Sequence, residues 1–141
     1  MKAATGWKQS FFRLESHRVV TQMRSDGEFQ TEATIKLWVG DERIMEVAEG
    51  NGPVHALDAA LRKALGGSHP EIARVHLTDF KVRVLDSAAG TAAVTRVLID
   101  STDGDGTWTT IGVSENVIEA SWEALSDSIV FGLLHAGATE R

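Results

Sequence analysis

Five histidines, His17, His55, His69, His76 and His135, are the first residues to test for chemistry in this 141-residue chain. No two stand at the i, i+2 or i, i+4 spacing that would put both on one face of a strand or helix. They read as surface or hydrogen-bonded side chains and not as a metal set. Asp100, Asp103 and Asp105, interleaved with Gly104 and Gly106, suggest a calcium loop. The helix–loop–helix calcium pattern needs a glutamate at its twelfth position. Counted from Asp100 that position is Ile111, so the segment is expected to be a polar hairpin turn. There is no cysteine, which removes thiol nucleophiles, thiolate ligands and disulfides together. No G-x-S-x-G elbow occurs, and nothing in the spacing of Ser, His and Asp joins them into a triad. The carboxylates are spread over polar faces and turns.

Glu49-Gly50-Asn51-Gly52-Pro53 is the more informative group. It follows a strand pattern and opens a helix pattern, so backbone N–H groups and a positive helix end could receive a carboxylate there. Equally, the glycines could serve only a tight strand-to-helix turn. The run matches neither the dinucleotide fingerprint nor the Walker A loop, which disfavours phosphate.

The elements around this loop follow from periodicity. In residues 28–39, Phe29, Thr31, Ala33, Ile35, Leu37 and Val39 alternate with Gln30, Glu32, Thr34 and Lys36, the mark of a strand buried on one face. Trp38 puts an aromatic on the polar face and reads as an edge or interface tryptophan. Residues 11–23 and 43–49 are flanking strands, joined through Ser25-Asp26-Gly27 and Gly40-Asp41-Glu42. Val54, Leu57, Leu61, Ala64 and Leu65 then recur at helical spacing after Pro53 at the first helical position, and Gly66-Gly67 ends the helix. The second half repeats the order. Strands are expected at 74–86, 91–101 and 107–113, and a helix from near Asn116, with Glu119 three residues on as in a capping box.

A shift of 64 residues lays positions 28–65 on 92–129 without a gap. Thr31 meets Thr95, Ile35 meets Ile99, Gly40 meets Gly104, Asp41 meets Asp105, Ala56 meets Ala120, Ala60 meets Ala124 and Leu61 meets Leu125. Chance gives roughly two or three such matches. The expected fold is therefore α+β: duplicated three-strand-plus-helix units, about 11–67 and 74–135, each an antiparallel sheet covered by its helix and related by a pseudo-two-fold. Symmetric association of two chains suits such a domain. Composition agrees with one soluble domain: 43% hydrophobic and 24% charged residues. A formal charge of −6 argues against nucleic acid and anionic membranes as partners. No apolar run reaches the length of a membrane span, and the first residues lack the apolar core of a signal peptide. The absence of cysteine fits a cytoplasmic protein.

GNGPVHALDAALRKAL from Asn51 with Gly50 before it, LTDFKVRVLD (77–86), GTAAVTRVLIDS (90–101) and GVSENVIEASWEALSDSI (112–129) together resemble the C-terminal regulatory domain of the isopropylmalate and citramalate synthases, in the right order and over most of the chain. The last stretch is more similar to the citramalate branch. The resemblance implies a homodimer and feedback binding of an end-product amino acid, leucine or isoleucine, near the dimer interface. Onto matching positions it carries Asn51, Gly52, Val54 and His55 of the glycine loop, Leu77, Phe80 and Val84 of the strand, Ala92 after the next turn, and Val117 or Ile118 at the second helix. An apolar pocket from Val54, Leu77, Phe80, Val84 and Ile118 would suit an aliphatic side chain. The loop amides would hold the carboxylate, and backbone carbonyls or Asp79 the ammonium. The resemblance implies no catalytic residue, metal or cofactor in this domain. The divalent metal and acetyl-CoA belong to the parent's (β/α)₈ barrel, which needs about 250 residues that are not here. Residues 1–10 then read as a linker or an artificial start, 11–137 as the regulatory domain and 138–141 as a tail. The rival readings are a dimerisation module without a ligand, and a small enzyme with an unrecognised acid/base pair.

Overall fold

In a computed structural model, residues 11–23, 25, 27–85 and 94–136 are described. The element order is β1 (Arg13–Met23), β2 (Phe29–Val39), β3 (Glu42–Gly50), α1 (Pro53–Leu65), a 3-10 turn (Pro70–Arg74), β4 (His76–Leu85), β5 (Val94–Thr102), β6 (Thr107–Ser114) and α2 (Val117–His135). Two three-stranded antiparallel sheets result, in the orders β1-β2-β3 and β4-β5-β6. The chain divides into two compact units, one holding residues 1–72 with 133–141 and the other 73–132. The expected three-strand-plus-helix order occurs twice.

The positions matched by the 64-residue shift take equivalent places. Thr31 and Thr95 are buried on the central strands, as are Ile35 and Ile99. Gly40 and Gly104 both take positive φ, 61° and 94°, which only glycine enters without strain. Ala56, Ala60 and Leu61 are buried on α1, and Ala120, Ala124 and Leu125 on α2. The duplication goes further than the matched letters. The first strand of each unit carries a bulge, between Leu14 and Ser16 in β1 and between Leu77 and Asp79 in β4.

In the first unit, alternate residues of β2, from Thr31 to Val39, are buried. They are covered by the stripe Val54, Leu57, Leu61 and Leu65 of α1. Burying each such leucine stabilises by about 1.5–3 kcal/mol. Trp38 lies on the outer face of the central strand β2, not on an edge strand, and Arg13 stacks over its ring at 5.5 Å. A long hydrophobic ring is tolerated there because the guanidinium covers it. His69 is buried, with its ring edge-on to Phe11 at 5.4 Å. Asp103–Gly106 is a hairpin turn: Asp103 Oδ1 accepts from the Asp105 and Gly106 amides at 2.9 and 3.1 Å.

Each sheet edge carries a guard. β1 and β4 have the bulges, and β4 adds Lys81 and Arg83 on its outer face. On β3, Lys63 of α1 donates to the Val47 carbonyl at 2.7 Å. On β6, Glu123 of α2 accepts from the Val113 amide at 2.9 Å. Bulges and charged side chains at an edge hinder pairing with further strands.

The extra residue of the β1 bulge, Glu15, meets Arg43 in a two-pronged ion pair at 2.8 and 3.0 Å. Hydrogen bonding to Arg43 holds the Glu15 carboxyl down at about 2, against an ordinary value of 4.5. A depressed folded-state value means the contribution is complete above pH 4.5 and is lost as pH falls through 2. Both partners are well exposed, so the contribution is screened and modest. Thermal melts of the wild type and Glu15→Gln should therefore differ at pH 6, and the gap should close between pH 4.5 and 2. A gap independent of pH would contradict the ion pair.

Candidate functional site

The glycine loop sits where β3 hands over to α1 in the first unit. Gly50 ends β3 against the first turn of α1. A Cβ added there would stand 2.7 Å from the Ala56 nitrogen and 2.9 Å from the His55 carbonyl carbon. Glycine is therefore required by close approach, which the turn-only reading of this loop anticipates. Asn51 is exposed and Gly52 is the helix N-cap, in extended conformation with no side-chain hydrogen bond to the helix. Pro53 follows, the Ala56 amide closes the first turn on the Gly52 carbonyl at 3.0 Å, and the first turn holds no acidic residue. Amides of a first turn have no acceptor inside their own helix, and Gly52 has no side chain to offer one. Of the loop residues singled out in the sequence, His55 is exposed, while Val54 is 4% exposed and belongs to the buried stripe of α1.

The equivalent helix start in the second unit is built differently. Asn116 Oδ1 accepts from the Ile118 and Glu119 amides at 2.8 and 3.2 Å. Glu119 does not reach back to Asn116, as a capping box would have it. Ser114 donates its hydroxyl to Glu119 Oε1 at 2.7 Å and accepts from the Asn116 amide at 3.1 Å. The 64-residue shift pairs Gly52 with Asn116 and His55 with Glu119. The second helix start thus carries a side-chain cap and a carboxylate, and the first carries a glycine N-cap and an imidazole.

In the second unit α2 lies over β5 and β6. Thr110 donates to the Ala124 carbonyl at 2.7 Å, Trp108 Nε1 to the Ser128 carbonyl at 3.2 Å, and the Ser101 and Ser128 hydroxyls meet at 2.6 Å. Register places Phe80, Val82 and Val84 of β4 on this same face, beside Ile99, Val97 and Thr95. They are 39%, 47% and 61% exposed. Phe80 and Val84 were expected from the sequence, but Val82 between them was not, although the period-two alternation F-K-V-R-V carried that signal.

The Thr78 bulge puts Leu77 on the same face as Phe80, opposite Ser101. Their partners Ser101 and Thr95 are six residues apart on β5, so at about 3.3 Å per residue Leu77 and Val84 stand roughly 20 Å apart, and one amino acid does not reach both. Asp79 pairs with Asp100 on the outer face, where Thr109 donates to Asp100 at 2.6 Å. It therefore points away from Phe80 and Val84, and an ammonium held with them would not meet Asp79. Val117 is 40% exposed at the start of α2, with Ile118 half-buried. The row Val84–Thr95–Ser114 puts Ser114, three residues before α2, about two strand spacings, ~10 Å, from Val84. Ala92 lies outside the described residues. Asn51, Gly52, Val54 and His55 belong to the first unit, and the β4 and α2 candidates to the second.

Compared with known proteins, residues 1–132 match the family model described as LeuA allosteric (dimerisation) domain. The chain belongs to the LeuA allosteric (dimerisation) domain family. It is 53% identical over 134 residues to an (R)-citramalate synthase of Streptomyces coelicolor, covering 95% of this chain and 25% of that protein. It is 49% identical over 137 residues to the (R)-citramalate synthase of Synechocystis, covering 94% of this chain and 25% of that one. A 2-isopropylmalate synthase of Pseudoalteromonas atlantica is 34% identical over 104 residues, 74% of this chain and 19% of that protein. The chain spans about a quarter of the length of these two citramalate synthases. This LeuA-type domain is thus more similar to the citramalate branch than to the isopropylmalate branch, as the residues at 112–129 suggested. Among its described residues no helix is long and apolar enough to cross a membrane.

Proposed function

We propose that this LeuA-type domain is an amino-acid sensor. It binds a branched-chain amino acid, isoleucine ahead of leucine, as a cytoplasmic homodimer. In a longer parent chain it transmits feedback inhibition to a barrel that condenses acetyl-CoA with a 2-oxo acid on a divalent metal. The observation that carries the reading is the start of α1, a helix end without side-chain cap or acid, whose counterpart on α2 is filled by Asn116 and Glu119. An effector carboxylate placed on the amides of that first turn supplies what the sequence omits there. Asn51, Gly52 and His55 are the proposed contacts in the first unit. The resemblance also points to Phe80 and Val84 of the second unit, and Val82 stands between them on the same face of β4. The greater likeness to citramalate synthases supports isoleucine. Inhibition then requires that the effector bind one state of the parent better than the other.

Calorimetric titration of the chain with isoleucine, leucine, valine and a straight-chain control tests this. Saturable binding of isoleucine is expected, with leucine weaker by about tenfold or more, because a displaced methyl in an apolar contact is worth ~1–3 kcal/mol. No binding by a folded, dimeric chain would leave dimerisation as the function. Turnover by the isolated chain would point to an enzyme instead.

A further inference from the structure

We draw no further inference here: the strongest candidate, the exposed apolar residues on the outer faces of the two third strands, Met45 and Val47 on β3 with Ile111 and Val113 on β6, carries nothing because nothing in the structure shows what covers them.

Discussion

Replacing Gly112 by alanine is expected to destabilise the chain by about 3 kcal/mol or more, lowering its melting temperature by about 10 °C. Gly112 lies on the inner face of β6, opposite Val97. A Cβ built on it would overlap the Ala120 carbonyl oxygen and stand 2.9 Å from the Ala124 nitrogen. These are backbone atoms of α2, so no side chain can turn aside. The helix must lift from the sheet, and lifting loosens the Thr110, Trp108 and Ser128 hydrogen bonds that seat it. The cost is a large share of the 5–15 kcal/mol typical of a whole domain. Gly67→Ala is the control, since a Cβ there meets nothing within 4 Å. Chemical denaturation of both variants reads the difference. A Gly112→Ala protein as stable as the control would show that α2 does not pack this closely on β6.

The double replacement Gly52→Asn with His55→Glu should separate stability from binding. It copies onto α1 the residues that close the start of α2. An asparagine N-cap in place of glycine adds a few tenths of a kcal/mol, and an acid in the first turn adds about 0.3–1. A Cβ at position 52 meets nothing within 4 Å, so the new side chain has room. The variant should be more stable by about 1 kcal/mol. Its affinity for isoleucine should fall by about 10- to 100-fold, the worth of charge-assisted hydrogen bonds to one carboxylate. Calorimetric titration and thermal melting of the same preparation read both quantities. Unchanged affinity in a stabilised protein would move the carboxylate away from α1.

Much of this was legible because period-two and period-3.6 patterns report which face is buried. The central strand β2 and the helix α1 follow from that alone, and the 64-residue repeat carries the reading to β5 and α2. Bulges leave no such trace. Thr78 is an ordinary strand residue by type, yet as the extra residue it decides which side of the sheet Leu77 joins, and so whether Leu77 shares a face with Phe80. Glu15 is the same case in the first unit. It sits in the β1 bulge, and its partner Arg43 lies two strands over on β3, 28 positions away in the sequence. An aromatic on a polar face suggests an edge or interface residue, and Trp38 is on the central strand and not an edge. The covering Arg13 is 25 positions away in sequence, beyond any local pattern. Leu77 and Val84 are close in the chain, but an extended strand sets them too far apart for one small ligand to touch both.

The guarded edges also limit how copies of this chain can associate. A sheet that accepts one added strand exposes a fresh edge to the next, so growth by edge pairing has no natural stopping point and leads towards filaments. With Lys63 seated on β3, Glu123 on β6 and bulges in β1 and β4, that route is hindered at every margin. Contacts are left to the faces, where a two-fold pairing is complete at two copies. Raising the concentration then fills dimers without lengthening them, which suits a member of a family described by its dimerisation.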